Sequence, residues 1–180
     1  DDPCVSSDEL ELYFNSDRNG QPDIWVSARN STGDPWGAPV RVGELSTSDT
    51  EGTPRLTPDG LTILFNRDAS GTLDDDIFIA TRPDTSSAWQ NIQRYADLAS
   101  DAADLCATVV GGTNRVLVCS NRGPSGTLDM WEGTIDLGNG SASSFGLMAG
   151  LNGNGEDCCG HAVDAGLTLY YYAQLSGSLN

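Results

Sequence analysis

Acidic residues gather in short clusters about once per 50 residues of this chain: Asp49 with Glu51, Asp101 with Asp104, and Glu156 with Asp157. Asp1 and Asp2 hold the matching place at the beginning of the sequence. Carboxylates brought together without counter-charge raise one another's pKa or hold a hard cation such as calcium, which takes several oxygen ligands. Asp74-Asp75-Asp76 is a further candidate cation loop, although it lacks the spacing of a known calcium motif. Two carboxylates at a fixed separation could also run glycoside hydrolysis. With 26 acidic residues in the chain, their number alone does not point there. The plain alternative is a solvated acidic rim, and no cofactor is required by any pattern in the sequence.

Other reactive side chains are sparse. His161 is the single histidine and lies beside Cys158 and Cys159, while Arg55 occupies the comparable place two repeat units earlier. A nucleophilic mechanism would need a Ser or Cys with His161 as base, and no Gly-x-Ser-x-Gly elbow occurs. His161 therefore reads as a lining residue rather than a catalyst. The five cysteines (Cys4, Cys106, Cys119, Cys158, Cys159) match no zinc spacing. A hairpin turning through Gly111-Gly112-Thr113-Asn114 sets Cys106 opposite Cys119, within reach of a cross-strand disulfide. Cys4 could then join Cys158 or Cys159, leaving one odd thiol.

What positions these residues is a repeat. Leu12-Tyr13-Phe14-Asn15-Ser16-Asp17-Arg18 followed by Asp23-Ile24-Trp25 returns as Ile63-Leu64-Phe65-Asn66-Arg67-Asp68 with Asp76-Ile77-Phe78, then as Leu117-Val118-Cys119-Ser120-Asn121-Arg122 with Asp129-Met130-Trp131. Asp23, Asp76 and Asp129 stand 53 residues apart. Together with Trp25 and Trp131 they read as fold determinants, carboxylates that accept backbone N–H groups and arginine pairs beside each turn. A fourth copy opens at Leu167-Thr168-Leu169-Tyr170-Tyr171-Tyr172, and its third strand would begin at Asn180.

Each unit reads as four strands. Pro54 to Thr57 leads into a turn at Pro58-Asp59-Gly60, a second strand runs from Leu61 to Asn66, and a third from Asp76 to Thr81. A polar loop follows with an aromatic seven residues on, Arg29 to Trp36 and Arg82 to Trp89, and a weak fourth strand ends near Leu45, Leu98 or Leu151. The second and third strands are apolar on both faces, so their sheets are covered on both sides without intervening helices. Stacked blades around an axis satisfy that pattern. The expectation is an all-β chain, a β-propeller of four-stranded antiparallel blades spanning 1–47, 48–99, 100–152 and 153–180, the last incomplete. About three and a half blades would belong to a larger ring of five or six, with the natural chain continuing past Asn180. In such a ring the acidic clusters would meet at one channel mouth.

The pattern of Ser-Asp or Pro-Asp-Gly, then Leu-Tyr-Phe-Asn-Ser-Asp-Arg, then Asp-Ile-Trp-Val resembles the TolB-type β-propeller repeats of bacterial envelope and secreted proteins. The resemblance implies an extracytoplasmic module, periplasmic, cell-surface or secreted, on a scaffold that serves mainly for binding and occasionally for catalysis. The manganese-dependent lyases on a similar propeller use several histidines, which this chain lacks.

Charge narrows the partners. Nine basic residues, all Arg, face 26 acidic ones, a formal net charge of −17 that repels nucleic acid phosphates and anionic lipid. No apolar run approaches the roughly 18 residues of a membrane-spanning helix. The function expected is a non-catalytic module that binds a protein or glycan at the channel mouth (Asp49, Glu51, Arg55, Asp101, Asp104, Glu156, Asp157, His161) or at the blade loops. The alternatives are a hydrolase or lyase on the same scaffold, and a structural component whose incomplete blade self-associates with a neighbour.

Overall fold

A computed structural model describes residues 1–68, 75–138, 141–153, 155–163 and 168–174. Residues 69–74, among them Asp74, lie outside the described residues, as do 139–140, 154, 164–167 and 175–180. Among the described residues fourteen strands form in chain order. The first sheet is β1 (Cys4–Val5), β2 (Glu11–Ser16), β3 (Asp23–Ala28) and β4 (Val40–Arg41). The second is β5 (Thr50–Leu56), β6 (Thr62–Asp68), β7 (Asp76–Thr81) and β8 (Gln90–Arg94). The third is β9 (Asp104–Val109), β10 (Arg115–Ser120), β11 (Asp129–Asp136) and β12 (Ser141–Leu147), and β13 (Asp157–Val163) pairs with β14 (Thr168–Ala173). Every pairing is antiparallel and sequential, which is the meander of a propeller blade.

Apolar residues on both faces of the middle strands explain the stacking. In β6, Ile63 and Phe65 pack with Tyr13, Ile24, Val42 and Leu45 of the first blade, whereas Leu64 points the other way, to Ala107, Val116 and Val118 of the third. The alternation of period two that a strand imposes therefore feeds two cores, one on each side of the same sheet. Replacing Leu64 by a polar residue would open the second core without touching the first.

Side-chain bonds hold each blade in shape. Arg41 grips Asp23 through two bonds of 2.7 and 2.8 Å, and Arg94 holds Asp76 at 2.6 Å. Both arginines come from the fourth strand, 18 residues after their aspartates. Asp129 takes the Ser125 hydroxyl at 2.9 Å instead, because Leu147 stands where an arginine would. The indole N–H groups of Trp25 and Trp131 donate to the carbonyls of Ser16 and Ser120, and the Arg18 and Arg122 guanidiniums lie over those rings. The seven-residue Arg-to-aromatic spacing is a cation–π stack, Arg29 on Trp36 at 4.3 Å and Arg82 on Trp89 at 4.5 Å. Arg82 also crosses to the first blade, where it meets Glu11 at 2.6 Å and the Tyr13 hydroxyl at 3.3 Å.

The inner strand of the second, third and fourth blades, and the segment just before that of the first, carries one irregularity at an equivalent place. Asp2, Thr53, Cys106 and Cys159 all adopt left-handed backbone, with φ of 49°, 45°, 52° and 55°. A register shift accompanies it in β5, β9 and β13, the signature of a bulge. Non-glycine residues in this region cost about 1 kcal/mol or more each, so the repetition marks a built feature that turns the following residues toward the axis.

Burial raises two tyrosines. Tyr13 is pushed up to about 12, chiefly by desolvation and then by the charge of Glu11, against the pull of Arg82; Tyr95 reaches about 12 through burial and the charges of Asp97 and Asp136. Unfolded tyrosines titrate near 10, so above that pH the unfolded chain releases protons the folded one keeps, and stability falls from pH ~10 to about 12. Urea midpoints measured across that range will show the decline, and Tyr13→Phe will flatten it; a midpoint independent of pH in the wild type would contradict the assignment.

Candidate functional site

The acidic residues at the strand starts separate by burial. Glu51, Asp104 and Asp157 are 0%, 0% and 3% exposed. Each carboxylate accepts hydrogen bonds from the residue four places earlier. On Glu51 these are the Thr47 N–H at 3.1 Å and hydroxyl at 2.6 Å; on Asp104, the Ser100 N–H at 2.5 Å and hydroxyl at 2.9 Å; on Asp157, the Gly153 N–H at 2.5 Å. Arg67 and Arg122 complete the first two sites at 2.9 and 2.6 Å, and they also donate to the connector carbonyls of Leu45 and Leu98. Burial pushes the Glu51 carboxyl up, while Thr47 and Arg67 pull it back. These three side chains are spent on folding the connector between blades.

Their backbones are spent on the same joints. The N–H groups of Glu51, Asp104 and Asp157 donate to the carbonyls of Pro22, Asp75 and Leu128, each the residue before Asp23, Asp76 or Asp129. Of the expected acidic mouth, Asp101 and Glu156 are exposed and Asp49 is half-buried. Among the described residues, the one set of three metal-capable side chains whose donor atoms converge is Cys106, Cys158 and Cys159, within 4.8 Å, and these sulfurs are in disulfides. Asp75, beside the undescribed Asp74, takes the Asn66 amide at 2.5 Å.

The disulfides correct the sequence expectation. Cys106 joins Cys159 and Cys119 joins Cys158, with Cα separations of 5.1 and 5.2 Å, and Cys4 is free. The bulge at Cys106 moves the pairing by one residue, so Cys119 faces Leu105 instead of Cys106. Left-handed Cys106 is thereby turned to its counterpart Cys159 on the next inner strand. Both bridges cross from the third blade to the fourth. That joint is also the one whose aspartates, Asp129 and Asp157, have no arginine partner among the described residues.

Two residues beyond each left-handed position, the four inner strands bring Cys4, Arg55, Thr108 and His161 to one cavity of about 150 Å³. Val109 and Ala162 line it as well. Arg55, Thr108 and His161 stand 53 residues apart, so the cavity is built by repeat-equivalent positions. Arg55 is held by the carbonyls of Pro54 at 2.9 Å and Asp2 at 3.3 Å. The Cys4 sulfur accepts the Leu56 N–H at 3.3 Å, and burial pushes its thiol up against the lowering influence of that N–H and of Arg55. A thiol held protonated is a poor nucleophile. Sequence reading found Arg55 and His161 but missed Thr108 and Cys4; the 53-residue spacing was the available signal for Thr108.

Sequential four-stranded antiparallel sheets with inner strands around a shared cavity define a β-propeller. The fold is similar to the crystal structure of TolB from Acinetobacter baumannii, with a TM-score of 0.66 and 21% identity over 98% of this chain and 38% of that one. This chain thus spans little more than a third of the length of that TolB chain. No protein-family model matches the sequence, and the search of curated proteins found no match.

Two outcomes follow from the joints. Asp104→Ala strips Arg122 of its buried counter-charge and should cost about 3 kcal/mol, a fall in Tm of roughly 6–12 °C for a domain of this size. Asp101→Ala, on an exposed side chain, should stay within about 0.5 kcal/mol; urea denaturation of the two variants checks the contrast, and equal losses would contradict it. Tryptic digestion without reduction cuts after Arg94, Arg115 and Arg122 and should leave three peptides in one covalent assembly. A Cys106–Cys119 bridge would instead join only two, which mass spectrometry distinguishes.

Proposed function

We propose that this chain is a non-catalytic, extracytoplasmic propeller module that holds a partner protein or glycan at the mouth of its axial channel. The observation that carries the reading is the cavity shared by Cys4, Arg55, Thr108 and His161. It is lined by both polar and apolar side chains and is assembled from the same position of all four inner strands. At about 150 Å³ it is smaller than the roughly 300–1,000 Å³ of small-molecule pockets. A site of that size suits one side chain or sugar group of a larger partner whose remainder lies on the mouth and loops.

Catalysis has less support from the same residues. Glu51, Asp104 and Asp157 are buried in ion pairs and connector bonds, and burial pushes the Cys4 thiol up, away from thiolate. The extracytoplasmic assignment rests on the two disulfides, which persist in oxidising compartments, and on the TolB-like fold. The exposed Asp101 and Glu156 are left as carriers of rim charge or of a weakly held calcium ion.

Selection against libraries of extended peptides and of soluble glycans, followed by mass analysis of the bound fraction, tests the reading. The ligand should be recovered chemically unchanged and lose at least tenfold in affinity to Val109→Trp, which adds bulk at the cavity wall, while circular dichroism stays native. Recovery of a cleaved ligand would establish the hydrolase or lyase alternative, and a ligand indifferent to Val109→Trp would move the site away from the axis.

A further inference from the structure

Seven of the nine arginines are in ion pairs with carboxylates: Arg29, Arg41, Arg67, Arg82, Arg94, Arg115 and Arg122. Of the other two, Arg18 is stacked on Phe14 and Trp25. Arg55 has neither a carboxylate nor a ring partner among the described residues, where it donates from one nitrogen, Nη1, to two backbone carbonyls. A chain with 26 acidic groups that commits its other arginines leaves this one without a carboxylate partner among the described residues. It stands at the axis, in the cavity that also holds the only histidine.

We infer that the axial cavity is a carboxylate-binding subsite, in which Arg55 is the anchor and His161 a second donor, and that it receives an acidic side chain or free chain terminus of a protein partner. The inference deepens the binding function proposed above and rests on it. Three features favour a carboxylate. The guanidinium fork is the side chain best matched to a planar two-oxygen anion, and Nε and Nη2 of Arg55 have no partner among the described residues. The two carbonyls that grip Nη1 fix the fork in advance, which lowers the ordering cost of binding. The volume of about 150 Å³ admits one carboxylate-bearing group and little more.

The net charge of −17 does not forbid this. At physiological ionic strength the Debye length is about 8 Å, so distant surface carboxylates are screened while the Arg55 and His161 groups act at contact. The surrounding charge instead works against polyanions, which cannot bring a second phosphate or sulfate close without meeting the acidic surface. A single carboxylate on an extended neutral or basic segment escapes that penalty. The specificity would therefore be for one acid at one place, not for anionic polymers.

The probe is glutarate, compared with glutaramide at equal ionic strength and followed by NMR of the His161 imidazole and the Arg55 Nε–H in the disulfide-intact chain. Because the chain has one histidine, its ring signals need no assignment by mutation. Glutarate should shift both resonances saturably with a millimolar Kd, glutaramide should not, and Arg55→Met should weaken glutarate binding at least tenfold with the fold unchanged. His161→Gln, which keeps a donor, should lose less than His161→Phe. Equal shifts with glutarate and glutaramide, or affinity retained in Arg55→Met, would overturn the inference. A selected partner lost in Val109→Trp but indifferent to Arg55→Met would leave the channel reading standing and remove the carboxylate subsite. Glutarate binding with no selected partner at the channel would do the reverse.

Discussion

A carboxylate buried at the start of the second, third and fourth inner strands is the constraint from which the rest of the architecture follows. Glu51, Asp104 and Asp157 each fold the preceding connector onto themselves through the residue four places back, and each donates its own N–H to the turn of the preceding blade. The acceptor carbonyl always precedes the aspartate that opens a third strand. Two acidic residues per joint are thus brought into one neighbourhood, a costly arrangement in a half-dry interior unless counter-charge arrives. Arg41 with Arg67 and Arg94 with Arg122 supply it at the first two joints. The third has no such arginines among the described residues and carries two disulfides instead.

The same geometry produces the axis. Once the strand start is pinned, the left-handed residue two places later bends the strand, and the next side chains turn inward. Thr53 touches Cys106 through a hydroxyl that accepts the Cys106 N–H at 3.3 Å, and Cys106 is bonded to Cys159, so neighbouring bulges are linked directly. Cys4, Arg55, Thr108 and His161 then meet because they are the same position of successive blades. Joint and cavity are consecutive consequences of one repeated strand. A change at the joint therefore reaches the cavity within four residues of chain.

Much of this was legible in the residues. The 53-residue period, the four strands per unit and the double-faced burial all follow from local pattern, since strand alternation writes both cores into residues such as Ile63, Leu64 and Phe65. The role of Glu51, Asp104 and Asp157 was not. Composition and spacing group them with Asp49, Asp101 and Glu156 as one acidic set, and only the third dimension separates a carboxylate capped by its own connector from one left in water. The cysteine pairing failed for a related reason, because a bulge inserts one residue that a count along an ideal hairpin omits. The arginines that neutralise Asp23 and Asp76 were within reach, 18 residues downstream in both units, but the arginines of the turns were nearer in sequence and drew the assignment.

The claim that the blades are joined through these strand starts is tested most directly by native-state hydrogen exchange at three amides. The N–H groups of Glu51, Asp104 and Asp157 should exchange as slowly as the core amides of the middle strands, at the limit set by global unfolding. After mild reduction of the disulfides, Asp157 should exchange faster while Glu51 and Asp104 keep their protection. Exchange of all three at loop-like rates in the intact protein would contradict the account.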